Sequence, residues 1–172
     1  MSVGILHYDF IILNTTDGGK TWQVQLNKTF SDYYESLDIN FINAKTGWFL
    51  TCDYDTNDGD LYYTSNAGKD WEVISQFHCN RPSPRELVFI TPEVGWIPLE
   101  MGAGGLVGGF MYTGNGGKTV SQKIDNSGIE NVEGCEFVSL KEGWAVVLDD
   151  KAGDYITHTV DSGATWNKVY PN

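Results

Sequence analysis

The amino-acid sequence predicts an all-β fold of repeated four-stranded antiparallel units, and three observations predict it. The stretch TTDGGKTW at residues 15–22 returns as TSNAGKDW at 64–71, TGNGGKTV at 113–120 and TVDSGATW at 159–166. A second motif, FINAKTGW from Phe41, returns as FITPEVGW from Phe89 and FVSLKEGW from Phe137, 48 residues apart each time. No segment keeps a 3.6-residue apolar period over the length of a helix. Two motifs interleaved at one period mark stacked units or propeller blades.

The elements follow in order. Residues 3–27 hold two strands joined by the first box, which makes them an outer half-blade. In the unit 36–75, SLDINFI alternates apolar and polar residues and is a strand with one buried face. NAKT turns the chain into GWFLTC, a second strand anchored by Trp48. YDTNDG supplies turn residues before the third strand, DLYYT, and SNAGK turns into the fourth, DWEVIS. The units 86–123 and 134–170 repeat this plan. The expected architecture is a single propeller region over residues 1–172, with about three and a half blades. Trp48, Trp96 and Trp144 are expected to be buried between neighbouring blades, with Phe41, Phe89 and Phe137 beside them.

Each residue type in the box has a task. The carboxylate of Asp17 is expected to accept backbone amides about two residues on, closing the turn. Gly19 supplies a positive φ that other residues resist. Thr15 and Thr21 tie the flanking strands, and Trp22 packs inward. The second box repeats this with Thr64, Asn66, Gly68 and Trp71, Asp70 standing in for the second threonine. The third has Thr113, Asn115, Gly117 and Thr119, with Val120 in place of the tryptophan, and the fourth is intact with Thr159, Asp161, Gly163, Thr165 and Trp166. These residues are expected to stabilise hairpins rather than to catalyse.

This S/T-x-D/N-x-G-x-T-W pattern resembles the Asp-box, or bacterial neuraminidase repeat. Its combination with F-x5-G-W resembles the propellers typified by the photosystem II stability and assembly factor. More distantly it is similar to sialidases, sortilin-type receptors and xyloglucan-cleaving hydrolases. The resemblance covers nearly the whole chain and implies a β-propeller. It implies no single activity, because enzymes and non-enzymes share the box.

Each G-W precedes its box by 16 to 18 residues, so a first G-W would fall at or just before residue 1. The first blade therefore lacks its innermost strand, whereas closed propellers have about four to eight blades. The expectation is a C-terminal piece of a longer propeller, or a module that completes its ring with another chain. Open blade edges are templates for association, so self-association is expected.

Composition narrows the partners. The net charge of -12 leaves no basic footprint for nucleic acid and opposes attachment to anionic lipid. No apolar run is long enough to span a membrane. The opening MSVGILHYDFIIL lacks a basic n-region and reads as strand rather than signal peptide; an extracytoplasmic location is favoured if the full gene carries one. Cys52, Cys79 and Cys135 form no CxxC pair, and their odd number favours buried free thiols over a disulfide between two of them.

The candidate chemistry lies in the loops. Arg81 and Arg85 are the only arginines, too few for the arginine cluster of a sialidase. Asp53, Asp55, Asp58 and Asp60 crowd one hairpin loop, and Asp149 and Asp150 the equivalent loop of the last blade; they read as solvated acids rather than a glycosidase pair. Asp53, Asp55 and Asn57 match positions 1, 3 and 5 of an EF-hand, but Asp58 replaces its glycine and Thr64 its final glutamate. A looser calcium site at Asp53, Asp55, Asn57 and Asp60 is the metal candidate, and no other cofactor is expected. The adjacent His78 and Cys79 make a poor zinc site. GAGGLVGG joins two strands and is no phosphate cradle.

The loop QFHCNRPSPR places His78, Arg81 and Arg85 at the propeller's mouth, where Tyr33, Tyr34 and Tyr54 are also expected. Aromatic rings beside carboxylates suit sugar stacking or a protein anchor. The function expected is a non-catalytic binding or scaffold module whose ligand at the loop face is a protein or glycan. The alternative is a fragment of a glycan-cleaving hydrolase whose second carboxylate lies in absent blades.

Overall fold

A computed structural model describes residues 8–30, 34–53, 56, 58–78, 83–84, 86–100, 109–123, 129, 131–149 and 151–171. Antiparallel hairpins follow one another along the chain, because each strand's alternating pattern is broken by a turn sequence every few residues. β1 (Tyr8–Asn14) pairs with β2 (Gln23–Phe30). β3 (Tyr34–Phe41), β4 (Gly47–Asp53), β5 (Asp58–Thr64) and β6 (Glu72–His78) make a four-stranded sheet in sequence order. In the third sheet β7 (Ser83–Pro84) and β8 (Val88–Phe89) are two pieces of an innermost strand. Both pair with β9 (Gly95–Glu100), which continues through β10 (Gly109–Thr113) to β11 (Ser121–Lys123). β12 (Val132–Phe137), β13 (Gly143–Val147), β14 (Tyr155–Thr159) and β15 (Asn167–Tyr170) form the fourth. The chain is all-β, a partial propeller of four-stranded blades preceded by a two-stranded one.

The core lies between the sheets. One apolar cluster joins Ile12 of the first sheet to Phe49 and Tyr62 of the second. Another joins Trp48, Leu50 and Leu61 to Leu87, Phe89 and Ile97, and a third joins Trp96 and Phe110 to Val132, Phe137 and Trp166. Facing sheets thus bury apolar side chains against each other.

The F-x5-G-W motif builds these junctions. A Cβ on Gly47, Gly95 or Gly143 would stand 2.7 Å from the ring of Phe41, Phe89 or Phe137, so glycine seats the phenylalanine of its own blade. The other ring face receives a tryptophan from the preceding blade. Trp48 stacks on Phe89 at 3.9 Å and 3°, and Trp96 on Phe137 at 3.7 Å and 6°. Each indole then donates Nε1–H to a carbonyl in the next blade's box, Trp48 to Gly116 at 2.9 Å and Trp96 to Ser162 at 3.2 Å.

This corrects the expected pairing. The phenylalanine beside Trp48 and beside Trp96 belongs to the following repeat. Trp48 and Trp96 are 0% and 1% exposed, but Trp144 is 36% exposed and stacks on its own blade's His158 at 4.5 Å. Phe41 is 41% exposed, against 3% for Phe89 and 2% for Phe137.

The innermost strands are linked by side chains at the same period. Asp38 accepts the Leu87 amide at 2.7 Å, Asn40 the Phe89 amide at 3.2 Å, and Glu86 the Cys135 amide at 2.9 Å. Half-burial, together with the charges of Asp38 and Glu136, raises the Glu86 carboxyl above its ordinary value. Cys52 is disulfide-bonded and Cys135 is a buried free thiol, so the expectation of free thiols holds for Cys135 and fails for Cys52. Cys79 lies outside the described residues. Burial pushes the Cys135 thiol well up, which keeps it protonated and inert.

Candidate functional site

The two ends of the blades carry different chemistry. At one end sit the boxes, and their geometry is uniform. Thr15 Oγ1 accepts the Gly19 amide at 2.9 Å and donates to Asp17 Oδ1 at 2.9 Å. Asp17 then accepts the Thr21 amide at 2.9 Å and the Thr21 hydroxyl at 2.6 Å. The carboxylate therefore reaches four residues on, not two, and Thr21 ties to Asp17 rather than to a strand. Thr159, Asp161, Gly163 and Thr165 repeat these contacts. The asparagine boxes keep the same frame, Gly68 donating to Thr64 and Gly117 to Thr113. Asn66 and Asn115 add side-chain bonds to Asp70 and Thr119.

Two consecutive positive-φ residues make the turn, Gly18 (73°) with Gly19 (86°) and Ser162 (66°) with Gly163 (79°). Because hydroxyl and amide donors favour the charged form, the Asp17 and Asp161 carboxyls are held down at about 2. Each acid is saturated by its own turn. The box tryptophans diverge. Trp166 is buried against Phe110 and Trp71 is half-buried against Phe49, but Trp22 is 57% exposed and does not pack inward as expected.

The opposite end is the loop face. The register of the second sheet aligns Tyr34 with Asp53, Asp53 with Asp58 and Asp58 with His78, one residue from each strand in a row. His78 ends β6 rather than lying in the loop, and its Nδ1 is 3.0 Å from Asp58 Oδ1 on the exposed edge. Tyr33, Tyr54, Arg81 and Arg85 lie outside the described residues. Of the calcium candidates, Asp53 and Asp60 fall among the described residues. Asp60 Oδ1 accepts Gln76 Nε2 at 2.8 Å and its Oδ2 accepts the Tyr62 hydroxyl at 3.3 Å, while Asp53 Oδ1 accepts the Thr56 amide at 3.3 Å. Asp55 and Asn57 lie outside the described residues. Among the described residues no group of three or more His, Cys, Asp or Glu side chains is placed to hold a metal ion. Burial and the adjacent Asp60 push the Tyr62 phenol up to about 12, so it stays a donor.

The interblade acceptors Asp38, Asn40 and Glu86 were missed from sequence, although Asp38 and Glu86 keep the 48-residue spacing of the motif that follows them. Also missed was the open counterpart of the Trp sockets. Phe41, Ile39, Leu13 and Ala67 border a cavity of about 550 Å³ between the first two sheets.

Antiparallel blades stacked through aromatic sandwiches, with a charged loop face at one end, define a β-propeller class of protein. Comparison with solved structures agrees. The chain is similar to YCF48 bound to a D1 peptide at 21% identity and a TM-score of 0.55, over 81% of this chain and 44% of that one. It is similar to a GH74 enzyme of Niastella koreensis at 18% identity and 0.57, over 81% and 23%. Against YCF48 from Cyanidioschyzon merolae the values are 13% and 0.52, over 79% and 42%. The chain therefore spans less than half the length of each of these propellers, and the likeness is one of fold. No family profile and no curated protein sequence matches it. No helix among the described residues is long and apolar enough to cross a membrane.

Proposed function

We propose that residues 1–172 form a single incomplete propeller domain that acts as a non-catalytic binding module, taking a protein segment at the loop face of its blades. The observation that carries this reading is the likeness, over 81% of the chain, to a propeller bound to a peptide. Charge adds to it. A chain of net charge -12 favours a partner segment with basic residues, which complementary charge would steer to the acidic loops. We take the box turns to be Asp-boxes with a purely structural task, since Asp17 and Asp161 are engaged within their own turns. The disulfide at Cys52 supports an oxidising, extracytoplasmic setting.

The test is biolayer interferometry of the immobilised chain against extended peptides of matched length, basic, neutral and acidic, and against xyloglucan oligosaccharides. Saturable binding of basic peptides, weakened by salt and by Asp53→Asn with Asp58→Asn, is expected. A second reading, a fragment of a glycan-cleaving hydrolase, is favoured by the GH74 likeness. Release of reducing sugar from xyloglucan by the purified chain would establish it and overturn the first.

A further inference from the structure

Two positions of the fourth sheet depart from the repeat together, and the two departures touch. The residue before each box threonine stands opposite its own blade's tryptophan: Tyr63 opposite Trp48, Tyr112 opposite Trp96 and His158 opposite Trp144. The residue before each of these Gly-Trp pairs is Thr46, Val94 or Glu142. The fourth sheet therefore has an imidazole where the others have a phenol, and a carboxylate where they have a neutral side chain. His158 Nε2 lies 3.2 Å from Glu142 Oε1, and the imidazole stacks on Trp144 with centroids 4.5 Å apart and planes at 22°.

This cross-strand contact belongs to the blade itself. Trp48 keeps Tyr63 at 5.4 Å and Trp96 keeps Tyr112 at 5.8 Å while each also stacks on a phenylalanine of the following blade. What differs in the fourth sheet is charge. A phenol is neutral near pH 7, whereas imidazole ordinarily changes charge between about pH 5 and 8. Charging the imidazole strengthens both of its contacts, because the bond to Glu142 becomes charge-assisted and the indole face attracts a cation. Register sets the rest of its surroundings. Glu136, Trp144, His158 and Asn167 form one row across the four strands. Among the described residues the charged groups on that face are thus Glu142 beside the imidazole and Glu136 across the indole, and Asn167 is neutral. Lys168 is turned to the other face, its ammonium 5.0 Å from the centre of the Tyr155 ring.

We propose that His158 is a proton-operated clamp on Trp144, built into the fourth sheet alone. The charged imidazole is pinned between the Glu142 carboxylate and the indole, and it fixes the tryptophan side chain from one side. The neutral imidazole keeps the stack and an uncharged hydrogen bond, and holds the indole less firmly. Trp48 and Trp96, backed by Tyr63 and Tyr112, have no such dependence. Mild acid therefore tightens the tryptophan of one Gly-Trp motif and leaves the other two as they are. The clamp lies at the box end of its sheet and does not depend on the loop-face reading.

The experiment follows the indole N–H resonances of the whole chain by nitrogen–proton NMR from about pH 8 to about pH 5, with Trp144 assigned from Trp144→Phe. The Trp144 resonance should move along a single one-proton titration, while those of Trp48 and Trp96 stay in place. Carboxylates ordinarily titrate at about pH 4, below this window. His158→Tyr restores the residue type of the other two blades and should abolish the movement. Glu142→Gln, which leaves the imidazole a neutral partner, should shrink it. A Trp144 resonance that ignores pH would overturn the proposal, as would a movement that survives His158→Tyr or is untouched by Glu142→Gln. So would an equal movement at Trp48 and Trp96, which would report a change of the whole fold rather than a clamp on one indole.

Discussion

Substituting equivalent tryptophans should have unequal costs, and the inequality follows from the direction of stacking. Trp48 is fully buried, stacks on Phe89 at 3.9 Å and donates to Gly116 at 2.9 Å. Trp48→Ala removes a large core side chain and leaves a cavity between two blades, at a cost of about 3–5 kcal/mol. The stack contributes about 0.5–1.5 kcal/mol of that and the indole hydrogen bond a similar share. Trp144 occupies the same repeat position with 36% exposure, and its ring partner is the cross-strand His158. Such a cross-strand pair is worth about 0.2–1 kcal/mol, and with its partial burial Trp144→Ala should cost about 1–2 kcal/mol.

Urea unfolding followed by circular dichroism measures both. For a domain of this size, the Trp48 variant should melt roughly 6–20 °C lower and the Trp144 variant only a few degrees lower. A Trp48/Phe89 double-mutant cycle should show coupling, while Trp48/Phe41 should show little, because the tryptophan and phenylalanine of one repeat do not stack on each other. Equal losses at Trp48 and Trp144, or coupling to Phe41 instead of Phe89, would refute the interblade sandwich.

Other predictions follow from the same contacts. The carboxyls of Asp17 and Asp161, held at about 2 against an ordinary 3.8, contribute stability that is present above pH 4 and lost as pH falls toward 2. Asp17→Asn with Asp161→Asn should flatten the acid limb of a pH–stability curve; an unchanged limb would refute their capping role. Glu86 is shifted the other way, so its ionisation disfavours the folded state and stability falls as pH rises above its ordinary 4.5. Glu86→Gln should therefore soften that decline while keeping an acceptor for the Cys135 amide. Glu86→Ala should lose about 1–3 kcal/mol by orphaning that amide. Gly95→Ala drives a methyl into a Phe89 ring clamped by Trp48 and should cost about 1–3 kcal/mol. Gly47→Ala meets the exposed Phe41, which can swing away, so thermal melts should show a smaller loss.

Much of this fold was legible because a repeat states its own period. The spacing of FINAKTGW, FITPEVGW and FVSLKEGW placed β4, β9 and β13, and the box threonines placed the ends of β5, β10 and β14. The direction of stacking was not legible. A pattern that repeats every 48 residues pairs Trp48 with Phe41 or with Phe89 equally well, and only the glycine beneath each ring decides. The reach of Asp17 to Thr21 was misjudged because two consecutive left-handed residues bend the turn back further than one glycine does. The disulfide at Cys52 could not be read from three cysteines without a paired spacing. The loop-face residues were placed by topology alone, and for Tyr34 and His78 the register brings them into one row.

The repeat has a polarity. At both Trp–Phe junctions the tryptophan of one blade is the key and the next blade the lock, never the reverse. In the second sheet the receiving parts are the Phe41 ring and Ala67, which border a cavity of about 550 Å³. The last blade presents a key, Trp144, on an exposed face with Val146 and Ile156.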